Sequence, residues 1–306
     1  MLEPSPESTG HAAQAALPAA ERQALVDGLV ALLRVTPSGV DRFRGDSEDL
    51  GYPNVYGGQV LGQAVMAASQ TLPKRPIHSL HAYFLRPGDP RQPIEYAVER
   101  LRDGRSFSTR RISASQEGRV ILEMMASFQD SAEGLDHQRA MPPAPGPEGV
   151  PCEPAPRRAV AARGRERPIE FRWLDAPALG DRQPGPAAAR IWMRPVAALP
   201  NDRTLHAALL AYASDHGLLR AAMLPHGLTY TTPGMRGASL DHALWFHRDA
   251  RFDDWLLHDI ESPSAQSARG LCRSEIFSRD GRLVASAAQE GMMRFRAPSA
   301  DHESRQ

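Results

Sequence analysis

The thiols come first among residues able to do chemistry. Cys152 and Cys272 are the only cysteines, and neither forms a CxxC pair or stands beside a histidine at zinc-ligand spacing. Both read as reduced thiols, and no metal is expected. A serine nucleophile needs a GxSxG frame on a sharp strand-to-helix turn, and Gly237-Ala238-Ser239-Leu240-Asp241 starts that pattern but fails at the second glycine. His78, His81, His242 and His247 lie in or beside strand-like segments with aromatic neighbours, which points to structural roles. Arg102, Arg105, Arg110, Arg111 and the arginines near residue 160 could meet phosphates, although no glycine-rich phosphate loop accompanies them. Gly57-Gly58 suits a turn, a close approach between backbones or an anion-binding helix start.

These residues need a scaffold, and 306 of them can bury a large core in two units. The 36 basic and 36 acidic side chains cancel, so a nucleic-acid partner is not expected and an anionic substrate must be met locally. No stretch approaches the roughly 20 apolar residues of a membrane span, and the first residues lack the pattern of a signal peptide. A cytoplasmic protein without a membrane partner is expected. Residues 1–20 read as a disordered tail, 21–135 as one domain, 136–168 as a Pro/Arg-rich linker, 169–298 as a second domain and 299–306 as a tail.

Apolar spacing predicts a helix from Glu21 to about Arg34 and a second from Gly57 to about Ser69. Strands are expected at Ser79–Arg86, Ile94–Leu101, Ser106–Ser115 and Val120–Gln129, with turns at Asp103-Gly104 and Glu117-Gly118. The second half repeats the order, with a helix around Thr204–His216 and strands at Ala238–Arg248, Asp254–Glu261, Ala268–Ser278 and Arg282–Phe295. Short echoes recur at roughly 160-residue separation, Ser79-Leu80-His81 with Ser239-Leu240-Asp241-His242, and Glu117-Gly118-Arg119-Val120 with Asp280-Gly281-Arg282-Leu283.

Several blocks carry a resemblance: Phe43-Arg44-Gly45 with Ser47-Glu48-Asp49-Leu50-Gly51, Gly57-Gly58-Gln59-Val60-Leu61-Gly62-Gln63, and His81-Ala82-Tyr83-Phe84-Leu85-Arg86-Pro87-Gly88-Asp89. Leu101-Arg102-Asp103-Gly104, Tyr212-Ala213-Ser214-Asp215, Asp241-His242 with Trp245-Phe246-His247-Arg248, and Gln289-Glu290-Gly291 continue it. Together they resemble the acyl-CoA thioesterase II family. The resemblance implies an α+β double hot-dog, two tandem repeats each wrapping an antiparallel sheet around a central helix. It also implies an acyl-CoA substrate and a homo-oligomer, and no cofactor is expected. The family's catalytic Asp, Thr and Gln fall on Asp215, Ser239 and Gln289, with Ser in place of Thr, which keeps the hydroxyl and loses the methyl that restricts χ1.

Thioester hydrolysis needs a positioned water, a base and a place for developing charge on the carbonyl oxygen; the thiol leaves without a strong acid. Asp215 would take the water proton, while Ser239 and Gln289 orient the water. The amides of Gly58 and Gln59, at a helix start, are the candidate oxyanion donors and substrate contacts. The first helix has no acid between Gly57 and Ser69, so a single complete site is expected. Two rivals share the fold: an enoyl-CoA hydratase, for which the adjacent Asp215-His216 has the wrong spacing, and a non-catalytic acyl-CoA-binding protein.

Overall fold

A computed structural model describes residues 17–50, 53–153, 167–174, 183–249 and 251–296. Most of the expected N-terminal tail, the middle of the linker and the C-terminal tail lie outside them. Helix α1 (Ala19–Leu33) opens the chain and buries Leu25, Val26, Leu29, Val30 and Leu33. The short β1 (Thr36–Gly39) and β2 (Arg42–Gly45) follow, then α2 (Gly57–Gln70). A meander comes next: β3 (Ile77–Phe84), β4 (Ile94–Asp103), β5 (Phe107–Gln116) and β6 (Arg119–Gln129). The second half begins with β7 (Ile169–Trp173) and β8 (Ala188–Pro195), then α3 (Arg203–Ser214), a short α4 (Arg220–Met223) and a 3₁₀ turn at Leu224–His226. It ends with β9 (Met235–Ser239), β10 (Asp241–Phe246), β11 (Leu256–Gln266), β12 (Arg269–Ser278) and β13 (Leu283–Phe295).

Period-two burial places Leu122, Met124, Ala126 and Phe128 of β6 on the inner face. At the β5–β6 hairpin, Glu117 (φ 49°) and Gly118 (φ 74°) supply the two left-handed residues that match strand twist. The β11–β12 hairpin makes the same kind of turn with Ser267 (φ 49°) and Ala268 (φ 57°), a pair that carries no turn signal in the sequence. All strands join one antiparallel sheet in the order β1-β2-β4-β5-β6-β3-β10-β13-β12-β11-β8-β7, with β9 also on β13. The second half is the first in mirror order, a double hot-dog whose seam is the pairing of the equivalent strands β3 and β10. There Leu80 faces Leu244, and both are fully buried.

Inside the sheet, α2, which carries no charged residue, is buried along nearly its whole length, from Gly58 to Ser69. It packs antiparallel on α3 at very short range. A methyl group on Gly58 would lie 2.3 Å from the carbonyl oxygen of Tyr212, and one on Gly62 would lie 2.9 Å from that of Ala208. Two glycines one turn apart therefore let the helix backbones touch.

Two features depart from the sequence reading. The strand expected over Ala238–Arg248 is two strands, β9 and β10, with a one-residue register offset between them: Ser239 faces Gly291 of β13, while Ala243 faces Ala288. At this bulge the Leu240 N–H donates to the Glu290 carbonyl (2.9 Å) and the Asp241 carboxylate accepts the Glu290 N–H (2.7 Å). The chain after β6 is the second departure. Through residues 130–153 it crosses the outer face of the second half as a strap, where the Trp192 indole N–H donates to the Pro145 carbonyl (2.8 Å) and Gln138 to that of Gly281 (2.8 Å). Met141 and Ala144 of the strap cover a separate apolar cluster of Trp192, Trp255, Leu257 and Phe277.

Candidate active site

Asp215 caps the C-terminus of α3, and the antiparallel helix pair carries it to the N-terminus of α2. Its Oδ2 accepts the Gly58 N–H at 2.9 Å, where the helix dipole favours an anion. Its Oδ1 is buried and has no hydrogen-bond partner among the described residues. A methyl group on Gly57 would sit 2.9 Å from Oδ2 and 3.0 Å from the Phe84 ring, so it would press on both side chains. Tyr56 seals the same corner: its hydroxyl donates to the Tyr212 carbonyl (2.9 Å) and its ring meets that of Tyr212 edge-on at 5.0 Å. Burial first, then the Asp215 charge, push the Tyr56 hydroxyl well above its ordinary range.

Both amides expected as oxyanion donors have protein partners in this structure. The Gly58 amide is committed to Asp215, and the Gln59 amide donates to the Tyr56 carbonyl at 3.1 Å. The Gln59 side chain is buried, with its oxygen on the Glu48 N–H (3.2 Å) and its amide on the Asp46 carbonyl (3.0 Å). Gly58 holds the carboxylate, and Gln59 pins the loop after β2.

Ser239 and Gln289 meet directly, the Gln289 amide nitrogen donating to the Ser239 hydroxyl. The bulge makes this possible. Ser239 and His242 are three residues apart, a separation that would put them on opposite faces of a regular strand, yet the extra residue turns both toward the inner face. Gln289 Oε1 lies 3.1 Å from His242 Nδ1, and His242 Nε2 lies 3.0 Å from the Ser214 hydroxyl. Ser239 and Gln289 are thus joined to the residue preceding Asp215 through His242, although neither bonds Asp215 itself. Of the four histidines with expected structural roles, His242 is the one that contacts a candidate site residue. The available signal was its inward position in a strand neighbouring that of Gln289.

Burial lowers the His242 pKa, while the charge of Asp215 acts in the opposite direction. Cys272, opposite Gln289 on β12, is pushed up to about 11 by burial, which leaves no thiolate nucleophile near the site. On the far side of Asp215, His216 gives its Nε2 to Glu153 of the strap (2.9 Å) and stacks on Phe171 at 3.8 Å. Although burial acts to raise it, Glu153 is lowered to about 2 by His216, Arg167 and Trp173. Surface clefts of about 420 and 570 Å³, beside Asp89 and Arg34 respectively, contain none of these groups. Neither cleft is adjacent to the Asp215 carboxylate.

Residues 166–292 match the family described as acyl-CoA thioesterase, and residues 44–129 match the acyl-CoA thioesterase N-terminal domain. Acyl-CoA thioesterase 2 of Haemophilus influenzae is 40% identical over 283 residues, 89% of this chain and 98% of that one. The crystal structure of an acyl-CoA thioesterase II from Mycobacterium marinum superposes with a TM-score of 0.74 at 38% identity, covering 89% of this chain and 99% of the other. A hot-dog protein from Alicyclobacillus acidocaldarius, 21% identical with a TM-score of 0.71 over 89% of this chain and 99% of its own, shares the fold. With two matched halves in order and a relative this similar along nearly its whole length, the chain belongs to the acyl-CoA thioesterase family.

Proposed function

We propose that this thioester hydrolase cleaves acyl-CoA to the free acid and CoA by direct attack of water, with no covalent enzyme intermediate. Asp215 takes the proton of the attacking water, and Ser239 and Gln289 hold that water in line with the thioester carbonyl. The observation that carries the reading is the Asp215 carboxylate: one oxygen is fixed by the Gly58 amide and the other is buried without a partner among the described residues. A carboxylate held at one end and unengaged at the other is arranged to accept a proton. The thiol of CoA leaves as a thiolate near pKa 8.5, so no side chain need protonate it.

A hydratase would need an imidazole working beside the carboxylate, and His216 is bound to Glu153 and stacked on Phe171 instead. The proposal keeps the protein in the cytoplasm as a homo-oligomer. Exposed Tyr83, Met125 and Trp245 on the outer sheet face support association, which sedimentation velocity would measure. The test of function is thiol release from acyl-CoA esters from acetyl to palmitoyl, comparing the unmodified protein with Asp215→Asn. Turnover should fall by about 10²- to 10⁴-fold in the variant. A folded, unmodified protein that releases no thiol from any ester would overturn the reading and favour a binding protein.

A further inference from the structure

We propose that His242 is a positioning residue that sets the orientation of the Gln289 carboxamide and so decides which hydrogen-bonding groups face the reacting water. The inference rests on the water-attack reading above. His242 is fully buried, and each ring nitrogen has one partner, Gln289 Oε1 at 3.1 Å and the Ser214 hydroxyl at 3.0 Å. A carboxamide has nearly the same shape either way round, so packing does not fix its orientation; hydrogen bonds do.

A proton on His242 Nδ1 donates to Gln289 Oε1. The Gln289 NH₂ then points at the Ser239 hydroxyl oxygen, as observed. Unprotonated Nε2 accepts from the hydroxyl of Ser214, the last residue of α3 and next to Asp215, and the single Ser214 proton is then drawn away from its other acceptor, the Ala211 carbonyl at 3.1 Å. In this state Ser239 uses a lone pair on Gln289 and keeps its own O–H, and the second amide hydrogen of Gln289 has no partner among the described residues. The pair presents donors.

With the proton on Nε2, the carboxamide would turn, its oxygen would accept the Ser239 O–H, and the pair would present no hydroxyl donor. Complete burial keeps the ring neutral, because a charged imidazolium there would lose its hydration. The choice between tautomers therefore passes directly to Gln289.

The test begins with ¹⁵N-histidine NMR of the full chain, in which His242 should carry its proton on Nδ1 at pH 7. A proton on Nε2 overturns the proposal, whatever the enzyme's activity. Kinetics supply the second arm. His242→Leu should lower kcat by about tenfold to hundredfold with KM little changed. His242→Asn, whose amide N–H can replace Nδ1–H, should recover most of the loss. In a Gln289→Ala background, His242→Leu should cost nothing further, and an equal additional loss there would show that His242 does not act through Gln289. Should the leucine variant fail to fold, the asparagine variant and the NMR readout decide. If the unmodified protein releases no thiol, the water-attack reading fails, while the tautomer still reports whether His242 orients Gln289.

Discussion

Gly57 and Gly58 are neighbours, yet a methyl group at each would strike different things. At Gly58 it meets rigid backbone, the Tyr212 carbonyl at 2.3 Å, and the Tyr56 ring at 2.5 Å. Gly58→Ala should therefore force α2 from α3 and destabilise the protein by about 1–3 kcal/mol in urea denaturation. At Gly57 it meets the Asp215 carboxylate and the Phe84 ring, which are side chains and can shift. Gly57→Ala should lower kcat with a smaller loss of stability, and equal effects of the two substitutions would contradict this division. The histidines make a second prediction. Burial holds His258 down at about 3, so below its unfolded pKa near 6.5 the unfolded chain takes up a proton that the native protein refuses. Stability from this group is complete above pH 6.5 and is lost as pH falls, by about 2 kcal/mol at pH 5. His258→Asn should flatten that part of the urea-midpoint profile between pH 7 and 5. Asp215, Ser239 and Gln289 were legible as candidates because the family blocks mark them. His242 was not, since a histidine among aromatics looks alike whether it fills space or orients an amide.

The strand elements show where sequence periodicity stops being informative. Burial alternation located β3 to β6 and β11 to β13 to within a few residues, because one face of each is apolar. It did not distinguish β1, β2, β7 and β8, which lie among prolines and arginines, and it could not show the bulge, whose extra residue leaves the letters around Leu240 looking regular. That bulge depends on the Asp241 carboxylate replacing a backbone acceptor for the Glu290 N–H. Asp241→Ala leaves this partly buried donor unmatched and should cost about 1 kcal/mol and much of kcat, while Asp241→Asn, which keeps an acceptor oxygen, should retain more of both. Urea denaturation and thiol release measure the pair. The two central helices also end alike, Thr71 after α2 (φ −79°, ψ −6°) and Asp215 after α3 (φ −76°, ψ −15°). At the first of these ends the Thr71 hydroxyl accepts from the fully buried Arg110 guanidinium (2.9 Å), itself paired with Asp103 at 2.7 Å. The guanidinium of an ion pair stands where the other end has its carboxylate, which suits a single site per chain.

At the scale of the molecule, the main core is continuous from Val26 to Ala287 and runs through both central helices and the seam. Neither half can close its own core. Calorimetry should therefore show one cooperative transition, and residues 1–135 alone should not fold; two resolved transitions would contradict this. The strap adds a second tie, from the end of β6 across the outer face to Glu153 beside His216. Composition marked that segment as a linker because prolines and arginines dominate it, and it could not show that the described part lies against tryptophans.

The seam has a further consequence. When two identical units pair through equivalent strands, every residue is encoded once and used twice, so a change that helps one site is imposed on the other. Here Ala82 and His242 occupy facing positions on the paired strands, and two copies of one sequence could not place a small residue on one side and a hydrogen-bonding ring on the other. Fusing the units into one chain frees each half to change alone. One half could then supply an amide while the other specialised in the acid and the groups around it, at the cost of giving up a second identical site.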